Sequence, residues 1–206
     1  MEAIIIPYRG TVSDKSRLRS DLKETSVGKL LYYMTQNLIN EVSMIETDVH
    51  LYILTKKNNL SFSGKFTLLS DKGNELNESL TNAFKEIEED IITIIMADLP
   101  LIKSEEIKAI LYRHKIEKKI LLGPTPDNGT SILTFNKNNS FPLVFGKNSA
   151  LRFRDVFEEE AISYEILESK DIYRDIDKFK DLLEIMENNS IPENIRQIIK
   201  ECVDFE

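Results

Sequence analysis

Three aspartates are the residues best placed to do chemistry. Asp98 follows the apolar run Ile91 to Met96, and Asp175 and Asp177 stand two apart in Asp175-Ile176-Asp177. A carboxylate at the carboxyl end of a central strand can hold a divalent cation. Alternate residues of an extended segment point the same way, so the second pair could face one ion. Each pattern has a plainer reading: a turn-capping aspartate in the first case, a chance Asp-x-Asp in the second. Positive charge comes early, in Asp14-Lys15-Ser16-Arg17-Leu18. Lys15 and Arg17 could meet phosphate, preceded by Gly10, Thr11 and Ser13 in a loop suited to backbone contact with it. Two further stretches suit an anion: Asp127-Asn128-Gly129-Thr130 and Phe145-Gly146-Lys147-Asn148-Ser149. Thr130 offers a hydroxyl and Gly146 permits close backbone approach. Ser149 is the expected N-cap of a helix, with free N–H groups around it. The plainer reading of both is an ordinary turn.

Other chemistries lack their residues. The chain has no Gly-x4-Gly-Lys-Ser/Thr loop, no Gly-x-Gly-x-x-Gly, no Cys-x-x-Cys, no His-Glu-x-x-His and no Gly-x-Ser-x-Gly. His50 opens a strand pattern and His114 sits in a basic run, so both are read as structural or solvated. Cys202 is the single cysteine. It is read as an inert helix-face thiol, in keeping with a reducing, cytoplasmic setting. Phosphoryl chemistry on a carboxylate-held Mg²⁺ needs none of the absent groups.

The elements that must position these residues follow from the apolar period. Ala3 to Ile6, Val49 to Leu54, Phe66 to Leu69, Ile91 to Met96, Lys119 to Leu122, Ser131 to Phe135 and Tyr164 to Leu167 read as strands. Residues 25–42, 75–88, a stretch from Ser104, 149–160, 178–187 and 192–203 read as helices. Strands alternating with helices predict a three-layer α/β/α sandwich with a mixed, mainly parallel sheet. Ligands of such folds bind outside the carboxyl ends of the strands. With 206 residues, one domain spanning 1–206 is expected. No stretch approaches the roughly 18 apolar residues of a membrane span. The net charge of −8 disfavours a nucleic-acid partner. A homodimer is the commonest symmetric assembly and stays open.

The order of these motifs resembles the 2-phospho-L-lactate (or phosphoenolpyruvate) guanylyltransferase family of coenzyme F(420) biosynthesis. The resemblance runs through the opening strand with Pro7, Lys15-Ser16-Arg17-Leu18, Leu76-Asn77, Ala97-Asp98-Leu99-Pro100-Leu101, Gly129-Thr130, Phe145 to Ser149, Asp175-Ile176-Asp177 and Asp181-Leu182. It departs from the family pattern in the less glycine-rich run before Thr130 and in Ser131 after it. The resemblance implies a nucleotide-diphospho-sugar transferase-like fold, with GTP and a small three-carbon phospho-acid as substrates and Mg²⁺ as cofactor. It implies that Asp98, Asp175 and Asp177 bind metal and that Lys15, Arg17 and Asn77 serve the nucleotide. Lys15, Arg17 and Asp98 would be the catalytic set, and Thr130, Gly146 and Ser149 would bind the acceptor. The residues leave open which phospho-acid is used, and whether GTP is preferred to another nucleotide. A sugar-phosphate nucleotidyltransferase, a glycosyltransferase-like enzyme and a silent nucleotide-binding module also fit them.

Overall fold

The structure, a computed structural model, describes residues 1–9, 18, 22, 24–46, 48–168 and 173–203. Among the described residues, thirteen elements follow in chain order. They are β1 (Glu2–Pro7), α1 (Glu24–Ser43), β2 (Val49–Thr55), β3 (Thr67–Ser70), α2 (Leu76–Ala83), β4 (Ile91–Ile95), α3 (Ser104–Glu117), β5 (Ile120–Pro124), β6 (Thr130–Asn136), α4 (Ser149–Glu159), β7 (Tyr164–Ile166), α5 (Phe179–Met186) and α6 (Glu193–Val203). The strands make one sheet in the order β3-β2-β1-β4-β6-β5-β7. The pairs β3-β2, β2-β1, β1-β4 and β5-β7 are parallel. Among the described strands, only β6 runs against its neighbours β4 and β5. The mixed, mainly parallel sheet is as expected.

Strand periodicity sorts the apolar side chains onto two faces. Ile4, Ile6, Ile53 and Ile95 face a core completed by Leu30, Met34 and Leu38 of α1, Ile107 and Ile110 of α3, Leu182 of α5 and Ile195 of α6. Ala3, Ile5, Ile92 and Ile94 face the other core, with Leu80 of α2 and Phe153 and Phe157 of α4. The sheet is therefore covered on both sides, which is why β4 is apolar on both faces apart from Thr93, whose buried hydroxyl bonds to that of Thr134 at 3.0 Å. Among the described residues no helix is long and apolar enough to cross a membrane.

One expectation at a helix end needs correction. The apolar pattern over 75–88 predicts one helix, but α2 stops at Ala83. Lys85 and Glu86 instead bond to carbonyls three residues back, Asn82 O at 3.2 Å and Ala83 O at 2.9 Å. This tight turn still buries Ile87 in the core. The helix expected from Ser104 does begin there, and α3 has no local side-chain cap. Glu41 of α1 supplies it across the fold, accepting from Ser104 N at 2.9 Å and from Lys103 Nζ at 3.1 Å.

Both histidines are structural and lie away from the carboxyl ends of the parallel strands. His114 is buried on α3 and its Nδ1 meets Lys119 O at 2.7 Å. Burial holds its pKa below the usual value, so it is neutral near pH 7. His50 pairs through Nδ1 with Glu89, whose carboxylate is almost wholly buried. Tyr52 Oη donates to the two Glu89 oxygens at 3.2 and 3.1 Å. Burial and Glu89 together push the Tyr52 hydroxyl up to about 12, so it remains a donor. Burial alone would raise the Glu89 pKa, but hydrogen bonds from its own backbone, Tyr52 and His50 bring it below the ordinary value.

A carboxylate with a depressed folded pKa contributes stability above its unfolded pKa, about 4.3. That contribution is lost as pH falls through the folded value. Tyr52→Phe should therefore cost about 1–3 kcal/mol in urea unfolding at pH 7. The gap to wild type should narrow at acid pH, once Glu89 has taken up its proton in the folded state. An equal gap at both pH values would mean that the hydroxyl acts through packing rather than through the carboxylate.

Candidate active site

The chain passes from β3 on one side of β1 to β4 on the other, so the strand order reverses between β1 and β4. Such a switch point leaves a crevice beyond the strand ends. Here it opens into a cleft of about 640 Å³. Tyr8 and Arg9 enter it after β1, and Ala97 and Asp98 after β4. Because β6 is antiparallel, its first residue, Thr130, reaches the same edge.

Asp98 is buried. Its backbone carbonyl accepts from Ile176 N at 3.3 Å, which ties the end of β4 to the segment before α5. That segment is anchored at both ends. Tyr173 is buried and its hydroxyl donates to Glu106 of α3 at 2.5 Å. Burial and Glu106 push the Tyr173 pKa far up, so the proton stays on oxygen. Ile176 is fully buried. At the far end Asp181 accepts from Asp177 N at 3.0 Å and Lys178 N at 2.7 Å. With Ile176 pointing into the core, its two neighbours face the cleft. The structure thus brings Asp98, Asp175 and Asp177 together, one ligand oxygen from each lying within 4.8 Å of the others. Hard carboxylate oxygens in such a group suit Mg²⁺ or Mn²⁺.

Thr130, Gly146 and Ser149 also converge. Ser149 Oγ donates to, or accepts from, Thr130 Oγ1 at 2.9 Å, and both residues are buried. Gly146 has φ +125°, and a Cβ there would stand 3.1 Å from the Arg152 guanidinium. Asn148, not Ser149, is the N-cap of α4, with φ 53° in the left-handed region. Ser149 is the first helical residue, and its hydroxyl is turned to Thr130 instead of to the helix. The expectation of free N–H groups around it is also corrected. Ser149 N donates to Gly146 O at 3.1 Å and Ala150 N to Asn128 O at 3.0 Å. The second bond docks α4 on the β5-β6 turn, itself closed by Thr125 Oγ1 donating to Asp127 Oδ1 at 2.6 Å.

Asn77 does not line the cleft; its neighbour Leu76 does. The Asn77 amide is engaged with the backbone of Phe145, accepting from N at 2.8 Å and donating to O at 3.2 Å. Arg152 adds a bond to the same carbonyl at 3.0 Å. Lys15 and Arg17, with the Gly10 to Ser13 loop, lie outside the described residues. Sequence reasoning passed over three cations that line the cleft: Arg9, Lys147 and Lys178. Lys147 and Lys178 stand inside or beside motifs already singled out, and that adjacency was the available signal.

Residues 2–199 match the family described as guanylyl transferase CofC like. A 2-phospho-L-lactate guanylyltransferase from Methanocaldococcus vulcanius is 30% identical over 187 residues, covering 88% of this chain and 83% of that protein. A phosphoenolpyruvate guanylyltransferase from Thermobaculum terrenum is 24% identical over 188 residues, covering 89% and 82%. The fold is shared with a protein from Desulfovibrio desulfuricans G20 assigned as a nucleotide-diphospho-sugar transferase. That match has a TM-score of 0.80 and 16% identity, over 97% of this chain and 94% of the other.

The carboxylate trio makes a direct prediction. Mn²⁺ titration followed by electron paramagnetic resonance should show binding to the wild-type chain, weakened about tenfold or more by Asp98→Asn or Asp175→Asn in folded protein. Unchanged Mn²⁺ affinity in both variants would mean that the trio does not hold the ion.

Proposed function

Because this chain belongs to the CofC-like guanylyl transferase family, we propose that it transfers GMP from GTP to the phosphate of 2-phospho-L-lactate or phosphoenolpyruvate in coenzyme F(420) biosynthesis. Pyrophosphate is the second product. The observation that carries this reading is the placing of two unlike groups in one cleft. An acidic trio suited to a cation stands at Asp98, and a hydroxyl-lined cradle stands across from it at Thr130, Gly146 and Ser149. The relatives named above bear those two acceptors in their names.

The reaction asks for alignment and charge neutralisation more than for acid–base work. A phosphate monoester has its second pKa near 6, so the acceptor is already an anionic nucleophile near pH 7. One acceptor oxygen attacks the α-phosphorus, the bond from the α-phosphorus to the β-phosphate oxygen breaks, and the electron pair leaves with pyrophosphate. Asp98, Asp175 and Asp177 would hold Mg²⁺. When bound, such an ion would neutralise charge gathering on the phosphate oxygens. Thr130 would donate to the acceptor with its hydroxyl held in place by Ser149, and Gly146 leaves its backbone open to close approach. Lys147 adds a positive charge to that side. Lys15 and Arg17 are assigned to the pyrophosphate. We also read residues 1–206 as one nucleotidyltransferase domain working in the cytoplasm.

Asn77 enters this scheme as a positioning residue for the acceptor loop through Phe145. Its replacement by alanine should raise the acceptor KM by roughly tenfold and leave the KM for GTP within about twofold. A rise confined to GTP would return Asn77 to the nucleotide. The reaction itself is tested by pyrophosphate release with Mg²⁺, GTP or ATP, and each phospho-acid. Release should require GTP and one of the two acceptors, and Asp98→Asn should lower kcat by about 10²-fold or more. Release only with a sugar phosphate would move the chain to another branch of the fold. Wild-type turnover in Asp98→Asn would remove the metal assignment.

A further inference from the structure

Arg9 stands beyond the carboxyl end of β1, across the switch point from Asp98. Its Nε donates to Asp71 Oδ2 at 3.1 Å and its Nη2 to Ser79 Oγ at 3.1 Å. Both partners are interior groups. The Asp71 side chain is 2% exposed, and Ser79 is fully buried. Asp71 Oδ1 also accepts from Gly73 N at 3.1 Å and from Ser79 Oγ. Gly73 is tightly constrained here, since a Cβ would stand 2.4 Å from Ser79 N. The guanidinium is therefore fixed along one edge by a carboxylate and a hydroxyl that are themselves fixed.

A guanidinium has five N–H donors in a planar fork. Two are used by Asp71 and Ser79. The other three belong to the head of a side chain that is 26% exposed and lines the cleft. Among the described residues, Arg9 makes no ion pair with Asp98, Asp127, Asp175 or Asp177, although all four line the same cleft. A counter-ion serving Asp71 alone would not need to present its remaining donors to that space.

The sheet order decides which substrate would meet it. Thr130 and Ser149 lie on the β6 side of Asp98, whereas Arg9 lies on the β1 side and leans toward the end of β3. Two substrates that react with one another at Asp98 occupy opposite sides of it. We propose that Arg9 is a nucleotide-binding residue whose outward guanidinium edge takes phosphate oxygens of the nucleoside triphosphate, with Asp71 and Ser79 as its positioning residues. This assignment rests on the reading of the chain as a nucleotidyltransferase. A planar fork suits two oxygens of a phosphate better than the point charge of lysine does.

The test compares Arg9→Ala and Arg9→Lys with the wild-type chain. It measures KM for GTP and for the acceptor separately, the Kd of a fluorescent GTP analogue with Mg²⁺, and the melting temperature. Arg9→Ala should raise KM and Kd for the nucleotide about tenfold or more, with the acceptor KM within about twofold. Arg9→Lys should recover part of that loss, and it supplies the comparison if Arg9→Ala does not fold. Nucleotide constants unchanged within twofold, or a rise in the acceptor KM instead, would overturn the assignment. So would a lower melting temperature with unchanged constants, which would leave Arg9 as the counter-ion of Asp71 only. If the wild-type chain binds Mg²⁺-GTP without turnover, the proposed reaction fails while the Kd comparison still decides Arg9. A wild-type chain that binds no nucleoside triphosphate overturns both.

Discussion

Carboxylates repel one another, and this molecule holds three of them with ligand oxygens within 4.8 Å of each other. At that separation each charged pair costs about 3 kcal/mol at an effective dielectric of about 20. The surrounding structure has the form that this repulsion demands. Asp98 is held by the end of a strand covered on both faces. Asp175 and Asp177 ride on a segment fixed by the buried Tyr173 hydroxyl, by Ile176 in the core and by Asp181 at the start of α5. Arg174, within the same segment, pairs with Glu184 of α5. A divalent cation would convert the repulsion into attraction, and a rigid frame of this kind would need no reorganisation to take one.

The side of the cleft at Thr130, Gly146 and Ser149 is built differently. It has a loop, a turn and a helix start, joined by hydrogen bonds between distant parts of the chain. Asn77 ties Phe145, Asn128 ties Ala150, and Thr130 ties Ser149. Each bond sits next to a residue facing the cleft, so the loop geometry is set by its supports more than by its own sequence. Glu41 does the same service for α3, which begins a few residues after Asp98 and carries Glu106, the partner of Tyr173. Positioning at this edge is thus passed from helix to strand end to cleft.

Most of the elements were legible in the sequence, because the sheet is covered on both faces and its strands read as apolar runs. β4 is the clearest case, and Asp98 could be placed at its end without a structure. Alternation predicted that Asp175 and Asp177 share a side, and Ile176 in the core is the reason they do. What local patterns could not show were contacts made at long range. The Asn77 amide looks available in sequence but is taken up by Phe145. Ser149 looks like a cap, but its hydroxyl meets Thr130, which is far away along the chain. The helix expected over 75–88 overran because Phe84 and Ile87 keep the helical period while packing from a turn. Arg9 was passed over because the signal in its neighbourhood was dominated by Lys15 and Arg17, and its anchor, Asp71, lies beyond β3. The fold family followed from the order of weak motifs, each of which would have been ambiguous alone.

In the proposed reaction Asp98, Asp175 and Asp177 would hold a metal ion beside the nucleotide, with Thr130 and Ser149 on the facing side. Anomalous diffraction from crystals grown with Mn²⁺ and a non-hydrolysable GTP analogue tests this most directly. The predicted result is an anomalous peak bridging Asp98, Asp175 and Asp177 to an α-phosphate oxygen, with the triphosphate on the β1 side of the ion. An analogue bound in the cleft with no metal at the trio, or with its α-phosphate turned away from Thr130 and Ser149, would contradict the account.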